Sequence, residues 1–271
     1  MTEATAVDDE DGAAEANEAV VVPLDPSSSA LEAGDPDPLP ERVLVVAAHP
    51  DDADFGASGT IASWAAQGAS VTYCIVTDGA AGAADPGIDL ANLASIRQGE
   101  QRRAAEALGV EDVIFLGYAD GRLEPSQEVR RDVSRVIRQV RPDRVVAQSP
   151  ERDYRRIRAS HPDHLAAGEA TLRAVYPDAR NPYAHPELLA AGLEPFEVPE
   201  VWLMASTNPD RVVDITGHFE EKVAALSAHA SQITDITSVA SFVREWAAET
   251  ARRFGLPPGR LAEAFQVVDT R

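Results

Sequence analysis

From Arg42 onward, short apolar runs alternate with longer segments in which apolar residues recur every three or four positions. That is the pattern of buried strands, each followed by a helix packed against it. It predicts strands at 42–48, 70–77, 112–116, 143–148, 201–205, 211–215 and 265–269. Helices are predicted at 58–67, 90–108, 126–140, 162–176, 218–230 and 238–254, with Gly68 and Gly109 as C-terminal stops. Residues 80–88 read as a Gly/Ala-rich loop of the kind that borders active sites, and 177–199 as a Pro-rich connection. The alternation implies an α/β fold with a Rossmann-like, mostly parallel sheet and helices on both faces. Ligand chemistry is then expected at the C-terminal ends of the strands.

Composition changes this picture mainly at the N-terminus. Residues 1–41 hold twelve of the 45 acidic residues and no Lys or Arg, which leaves 33 acids against 24 bases in the remainder. The formal net charge of -21 is therefore largely a property of that segment. Its Ala, Asp, Glu, Ser and Pro content predicts an acidic disordered tail, followed by a single domain over 42–271. No basic surface for nucleic acid is expected. A local cluster of Arg152, Arg155, Arg156 and Arg158 is still suited to an anionic group. Cys74 lies in a strand-like run and reads as a buried thiol. Neither a signal peptide nor a membrane span is expected, so the chain reads as cytoplasmic, with self-association as a homo-oligomer left open.

The chemistry concentrates in two short motifs. The first apolar run ends in His49-Pro50-Asp51-Asp52, and about 110 residues later comes His161-Pro162-Asp163-His164, at the expected start of a helix. Adjacent carboxylates point in different directions, so one can bind a metal while the other faces its water. Together the motifs supply a His, Asp, His triplet with a carboxylate and an imidazole to spare. That is the inventory of a metal-assisted hydrolase using Zn2+, with Fe2+, Mn2+ or Co2+ as alternatives.

At these residues the chain resembles the LmbE-like or PIG-L-type zinc-dependent de-N-acetylases. The resemblance is carried by Ala48-His-Pro-Asp-Asp-Ala-Asp-Phe-Gly56, Thr77-Asp-Gly79, Arg97 with Glu100, Asp120-Gly121, His161-Pro-Asp-His164 and the stretch from Lys222 through His229 to Gln232. It implies that His49, Asp52 and His164 bind the metal and that Asp51 is the general base. It further implies that His161, as a protonated imidazole oriented by Asp163, stabilises the oxyanion, while Arg97 and His229 contact substrate. One position departs from the pattern: Ala159 stands where some members have an oxyanion-assisting tyrosine, and Tyr154 is the nearest substitute in sequence.

Each lesser candidate has an ordinary alternative. Arg97 also suits a solvated helix position paired with Glu100. Asp54 suits a loop or capping carboxylate, and Asp78 an Asp-Gly turn. Trp202, Phe242 and Trp246 read as packing residues. The resemblance implies removal of an N-acetyl group from an N-acetylglucosamine-type sugar or its conjugate, the small-molecule partner. Two alternatives stand beside it: an amidase acting on a larger amino-sugar conjugate, and a metal-dependent glycosyltransferase using Asp52-Ala53-Asp54.

Overall fold

The computed structural model describes residues 38–83 and 89–271. Most of the expected acidic tail, and residues 84–88 of the expected loop, lie outside the described residues. The end of the tail that is described adjoins the sheet, with the Glu41 N–H donating to Asp143 at 3.1 Å.

The strands are β1 (Arg42–Ala47), β2 (Ser70–Thr77), β3 (Asp112–Tyr118), β4 (Arg144–Gln148), β5 (Glu200–Met204), β6 (Arg211–Asp214) and β7 (Ala262–Asp269). They form one seven-stranded sheet in the order β3-β2-β1-β4-β5-β7-β6. The first five pair in parallel, while β7 runs antiparallel to β5 and β6 antiparallel to β7. The chain leaves β1 for β2 on one side, and β4 pairs with β1 on the other, which opens a crevice at the C-terminal ends of β1 and β4.

Burial along β1 explains its apolar run. Val43, Val45 and Ala47 face one core layer with Trp64, Tyr73 and Trp202, and Leu44 and Val46 face the other with Val133, Ile137 and Ala170. Both faces of the strand are closed to water, so no polar alternation is needed. A third cluster, built on Ile215, Phe219, Leu226 and Val243, packs the helices Phe219–Ser227 and Ile236–Arg253 beside β6.

The helices are α1 (Asp52–Gly56), α2 (Ser58–Ala66), α3 (Leu93–Ala107), α4 (Gln127–Val140), α5 (Pro162–Arg173), α6 (Pro186–Ala190), α7 (Phe219–Ser227) and α8 (Ile236–Arg253). Gly168 is what lets α5 rest on the end of β4, since a Cβ there would lie 2.2 Å from the Gln148 carbonyl oxygen. Three local expectations change. The His-Pro-Asp-Asp segment runs directly into a short helix, α1, instead of a loop. The helix expected to reach residue 176 stops at Arg173 and passes into a wider turn over Ala174–Asp178, because Pro177 has no N–H to continue it. The expected Pro-rich connection contains α6 and is anchored by the buried Arg138 guanidinium, which donates to the carbonyls of Asp178, Ala179, Asn181, Ala184 and Leu193. Trp202 is core, whereas Phe242 and Trp246 are exposed on α8 at 55% and 38%, with their ring centroids 6.3 Å apart.

Candidate functional site

The first motif is delivered by β1. His49 follows the strand end, and its backbone N–H donates to Asp52 Oδ2 at 2.7 Å, which folds the motif back on itself. Asp51 adopts φ +90°, ψ −27°, a left-handed backbone that non-glycine residues enter at a cost of about 1–3 kcal/mol. Its carbonyl accepts the N–H groups of Asp54 and Phe55 at 2.9 and 3.0 Å, so the turn is also the start of α1.

The second motif is the N-terminal turn of α5, with His161 as the capping residue and Pro162 at the first helical position, where the missing N–H has no consequence. The two motifs meet at Asp52. Its Oδ1 lies 2.9 Å from His164 Nε2, and its Oδ2 lies 3.3 Å from His49 Nδ1. One carboxylate thus joins both imidazoles. On its other edge, His49 Nε2 lies 3.1 Å from both Asp120 Oδ1 and Asp163 Oδ2.

Asp163 differs in detail from its expected part. Its carboxylate accepts the Gly121 and Leu123 N–H groups at 2.7 and 3.2 Å and faces His49, whereas His161 is met by the Asp163 backbone N–H, 3.2 Å from Nδ1. A peptide N–H can only donate, so Nδ1 of His161 accepts and the neutral ring carries its proton on Nε2.

Arg97, on α3, is buried. It donates to the carbonyl oxygens of Gly79 and Pro50 at 2.8 and 2.7 Å and to Asp51 Oδ2 at 3.3 Å, and it lies 3.8 Å from Asp120. It is not paired with Glu100, whose carboxylate instead accepts the Ser231 N–H and hydroxyl. His229 was expected against substrate, but it is fully buried, with Nε2 2.7 Å from Asp54 Oδ2. Its place is behind the site. Asp54 is likewise fully buried, so Asp52 and Asp54 point apart and do not form the two-carboxylate claw that a nucleotide diphosphate would need. Asp78 takes the turn reading, accepting the Ala80 and Asp120 N–H groups.

Burial and neighbouring charge set the protonation of these groups. Asp51 is raised to about 7, first by burial and then by Asp52, against the opposing charges of Arg97, His229 and His49. Burial also acts to raise Asp52, but His164 and His49 outweigh it and hold that carboxyl well below the usual range. Burial opposes charge on His49, yet Asp120 and Asp52 raise it to about 11. Asp120 itself is lowered to about 2, with His49 overcoming its burial. His161 is lowered by burial and by the charges of His49 and His164, which favours the neutral ring. His164 is raised, the carboxylate of Asp52 prevailing over burial.

A cavity of about 550 Å³ opens over this cluster, lined by His49, Asp51, Arg97, Asp120, His161 and His164, with Ala81 to Ala83, Arg158 and Gln232 at its edges. Of the four clustered arginines, Arg155 and Arg156 pair with Asp153 and Arg152 donates to the Ser160 carbonyl, whereas Arg158 lines the cavity. Tyr154 is 83% exposed and is not part of the wall. Asp120 and Glu100 are among the residues that carry the resemblance, but the sequence assigns neither them nor Gln101 a role in the site. The Asp-Gly turn at 120–121 was the available signal for Asp120; Gln101 and Glu100 sit on a helix face with no motif to mark their tertiary partners.

The donor chemistry suits a divalent metal. Among the described residues, the ligand atoms of His49, His161 and His164 lie within 4.8 Å of one another, and so do those of His49, Asp120 and Asp163. In the second set, both carboxylates are already accepting backbone N–H groups, from Ala81 to Asp120 and from Gly121 and Leu123 to Asp163. Asp52 contacts His49 Nδ1 and His164 Nε2 directly through separate oxygens, so two imidazoles and a carboxylate meet at one point. Among the described residues no helix is long and apolar enough to cross a membrane.

Residues 44–175 match the PIG-L family model, described as GlcNAc-PI de-N-acetylase. A diacetylchitobiose deacetylase of Thermococcus kodakarensis is 35% identical over 195 residues, spanning 72% of this chain and 71% of that protein. A 1D-myo-inositol 2-acetamido-2-deoxy-alpha-D-glucopyranoside deacetylase of Kineococcus radiotolerans is 34% identical, spanning 72% and 70%. Among solved structures, N,N'-diacetylchitobiose deacetylase from Pyrococcus horikoshii, in complex with an inhibitor, superposes with a TM-score of 0.78 at 32% identity and 85% coverage of each chain.

Proposed function

The chain belongs to the PIG-L family of GlcNAc-PI de-N-acetylase type, and from that premise we propose that it removes the N-acetyl group from an N-acetylglucosamine-type sugar or its conjugate. The observation that carries this reading is the placement of Asp51, a carboxyl raised to about 7, on the wall of the same cavity as His161, His164 and His49.

His49, Asp52 and His164 would hold the metal, with Zn2+ the first choice and Fe2+, Mn2+ or Co2+ compatible with the same donors. When bound, such an ion polarises an amide carbonyl and lowers the pKa of water to roughly 7. Asp51 is matched to this task, since a base whose pKa lies near the working pH accepts a proton from water and returns it readily. It takes the proton as the water oxygen bonds to the acetyl carbon, and delivers it to the sugar nitrogen as the C–N bond breaks. Acetate and the free amine are the products.

His161 faces the same cavity with a neutral ring whose Nε2 carries the proton, so it donates to the carbonyl oxygen as negative charge develops there. Asp163 and Asp120 hold His49 through Nε2, and the Asp163 backbone N–H sets the His161 tautomer. Arg97 fixes the Asp51 carboxylate and the Pro50 and Gly79 carbonyls, so its part is to shape the wall.

The test is acetate release from a panel of N-acetylglucosaminides by the metal-loaded protein. Asp51→Asn should reduce turnover by about 10²-fold or more while retaining metal. Undiminished turnover in that variant would overturn the reading.

A further inference from the structure

The backbone of Asp51 is held by a side chain that plays no part in the chemistry described above. Its N–H points into the protein and donates to Gln101 Oε1 at 2.8 Å. The carboxamide is anchored at its other end too, with Nε2 donating to Asp54 Oδ2 at 2.9 Å. A peptide N–H only donates and a carboxylate accepts, so the two partners leave one orientation for the Gln101 amide. Asp54 is in turn held by His229 Nε2 at 2.7 Å. Gln101, Asp54 and His229 are all fully buried.

Two turns of geometry converge on this point. Asp51 stands at φ +90° with no side-chain cap of its own, so its left-handed backbone has to be held by its surroundings. Arg97 and Gln101 are four residues apart on α3 and therefore share a face. From that face Arg97 binds the Pro50 carbonyl, and Gln101 binds the N–H of the same peptide unit, which Asp51 supplies. The peptide between Pro50 and Asp51 is gripped at both its oxygen and its nitrogen.

We propose that Gln101, backed by Asp54 and His229, is a positioning residue for the Asp51 carboxylate. The inference rests on the reading of Asp51 as the base. Gln101 touches no reacting atom; it acts by holding the Asp51 peptide in the orientation that turns the carboxylate toward the cavity. Without the acceptor, the N–H loses its partner, the φ angle relaxes, and the carboxylate loses its alignment.

The test compares Gln101→Met, which keeps length and removes both hydrogen bonds, with Asp51→Asn and the unaltered full chain, all zinc-loaded. Acetate release is measured from N-acetylglucosamine and N,N'-diacetylchitobiose, and exchange of the Asp51 amide proton is followed by NMR. For Gln101→Met, kcat should fall on the order of 10- to 100-fold with KM within about threefold, zinc content unchanged and the Asp51 amide newly exchangeable. Asp54→Asn, whose amide oxygen still accepts from Gln101, should lose less than Asp54→Ala; this ordering separates positioning from general loosening and remains available if Gln101→Met folds poorly.

Wild-type kcat in Gln101→Met beside an inactive Asp51→Asn would overturn the inference and leave the base intact. Full activity in Asp51→Asn would overturn both. Loss of zinc from Gln101→Met would place the effect at the metal site, not at the Asp51 carboxylate, and overturn the inference. If the unaltered chain turns over neither sugar, unchanged protection of the Asp51 amide in Gln101→Met overturns it, and loss of protection supports it.

Discussion

His49 Nε2 and Asp163 Oδ2 lie 3.1 Å apart, a contact that joins the two histidine motifs across 114 residues of chain. It makes the acidic residue of the second motif a support for the imidazole of the first. Asp163→Asn keeps size but removes the charge behind that ring. Its expected effect is a loss of metal affinity and of kcat, each about 10- to 100-fold, measured by metal titration and acetate release. Normal metal affinity in this variant would show that the contact does not tune His49.

Metal uptake should be coupled to proton release. In the metal-free protein His49 is raised to about 11, so at neutral pH it carries a proton that a metal must displace. Apparent zinc affinity is therefore expected to increase as pH rises from about 6 to about 8, with protons released on binding. Calorimetric titration in buffers of different ionisation enthalpy measures the number; an affinity that stays flat across this range would contradict the assignment.

His161 should act without titrating into its charged form. Its tautomer is set by the Asp163 N–H, and burial with the charges of His49 and His164 lowers its pKa. His161→Ala should lower kcat by about 10²- to 10³-fold with metal retained, whereas His164→Ala should lose metal. In the unaltered protein, raising pH above the ordinary imidazole range should not of itself abolish activity. A steep alkaline loss that disappears in the His161→Ala background would restore the protonated form as the active one.

A buried ion pair supports the helix that follows the first motif. Lys222 Nζ donates to the carbonyls of Asp54 and Phe55, at the end of α1, and to Glu263 Oε1 at 2.7 Å. Glu263 in turn accepts the Gly59 and Thr60 N–H groups at the start of α2. Removing one partner alone, as in Lys222→Met or Glu263→Leu, should destabilise by about 3–5 kcal/mol in denaturant unfolding. The double variant should cost less than the two single losses added together; strict additivity would show that the pair is not coupled.

The strand and helix order, and the positions of the two histidine motifs, were legible because both are local properties. A strand buried on both faces has to be apolar throughout, as Val43 to Ala47 are, and a proline at the first turn of a helix leaves its mark beside His161. The short helix α1 was hidden because its first residues are the chemically suggestive ones, and its start depends on Gln101 and Arg97 from another helix.

Side-chain direction was decided by the tertiary structure. Asp52 and Asp54 are two residues apart on α1, which separates them by about 200° around the helix axis. One consequently faces His49 and His164, while the other enters the interior to meet Gln101 and His229. Sequence alone determined which residues were available for metal and proton chemistry, since residue type fixes donor chemistry. Only the fold decided that His229 and Asp54 stand behind the site, that Arg97 turns to the Pro50 and Gly79 carbonyls, and that Asp120 joins His49. Those outcomes depend on contacts between residues tens to more than a hundred positions apart, which local periodicity does not encode.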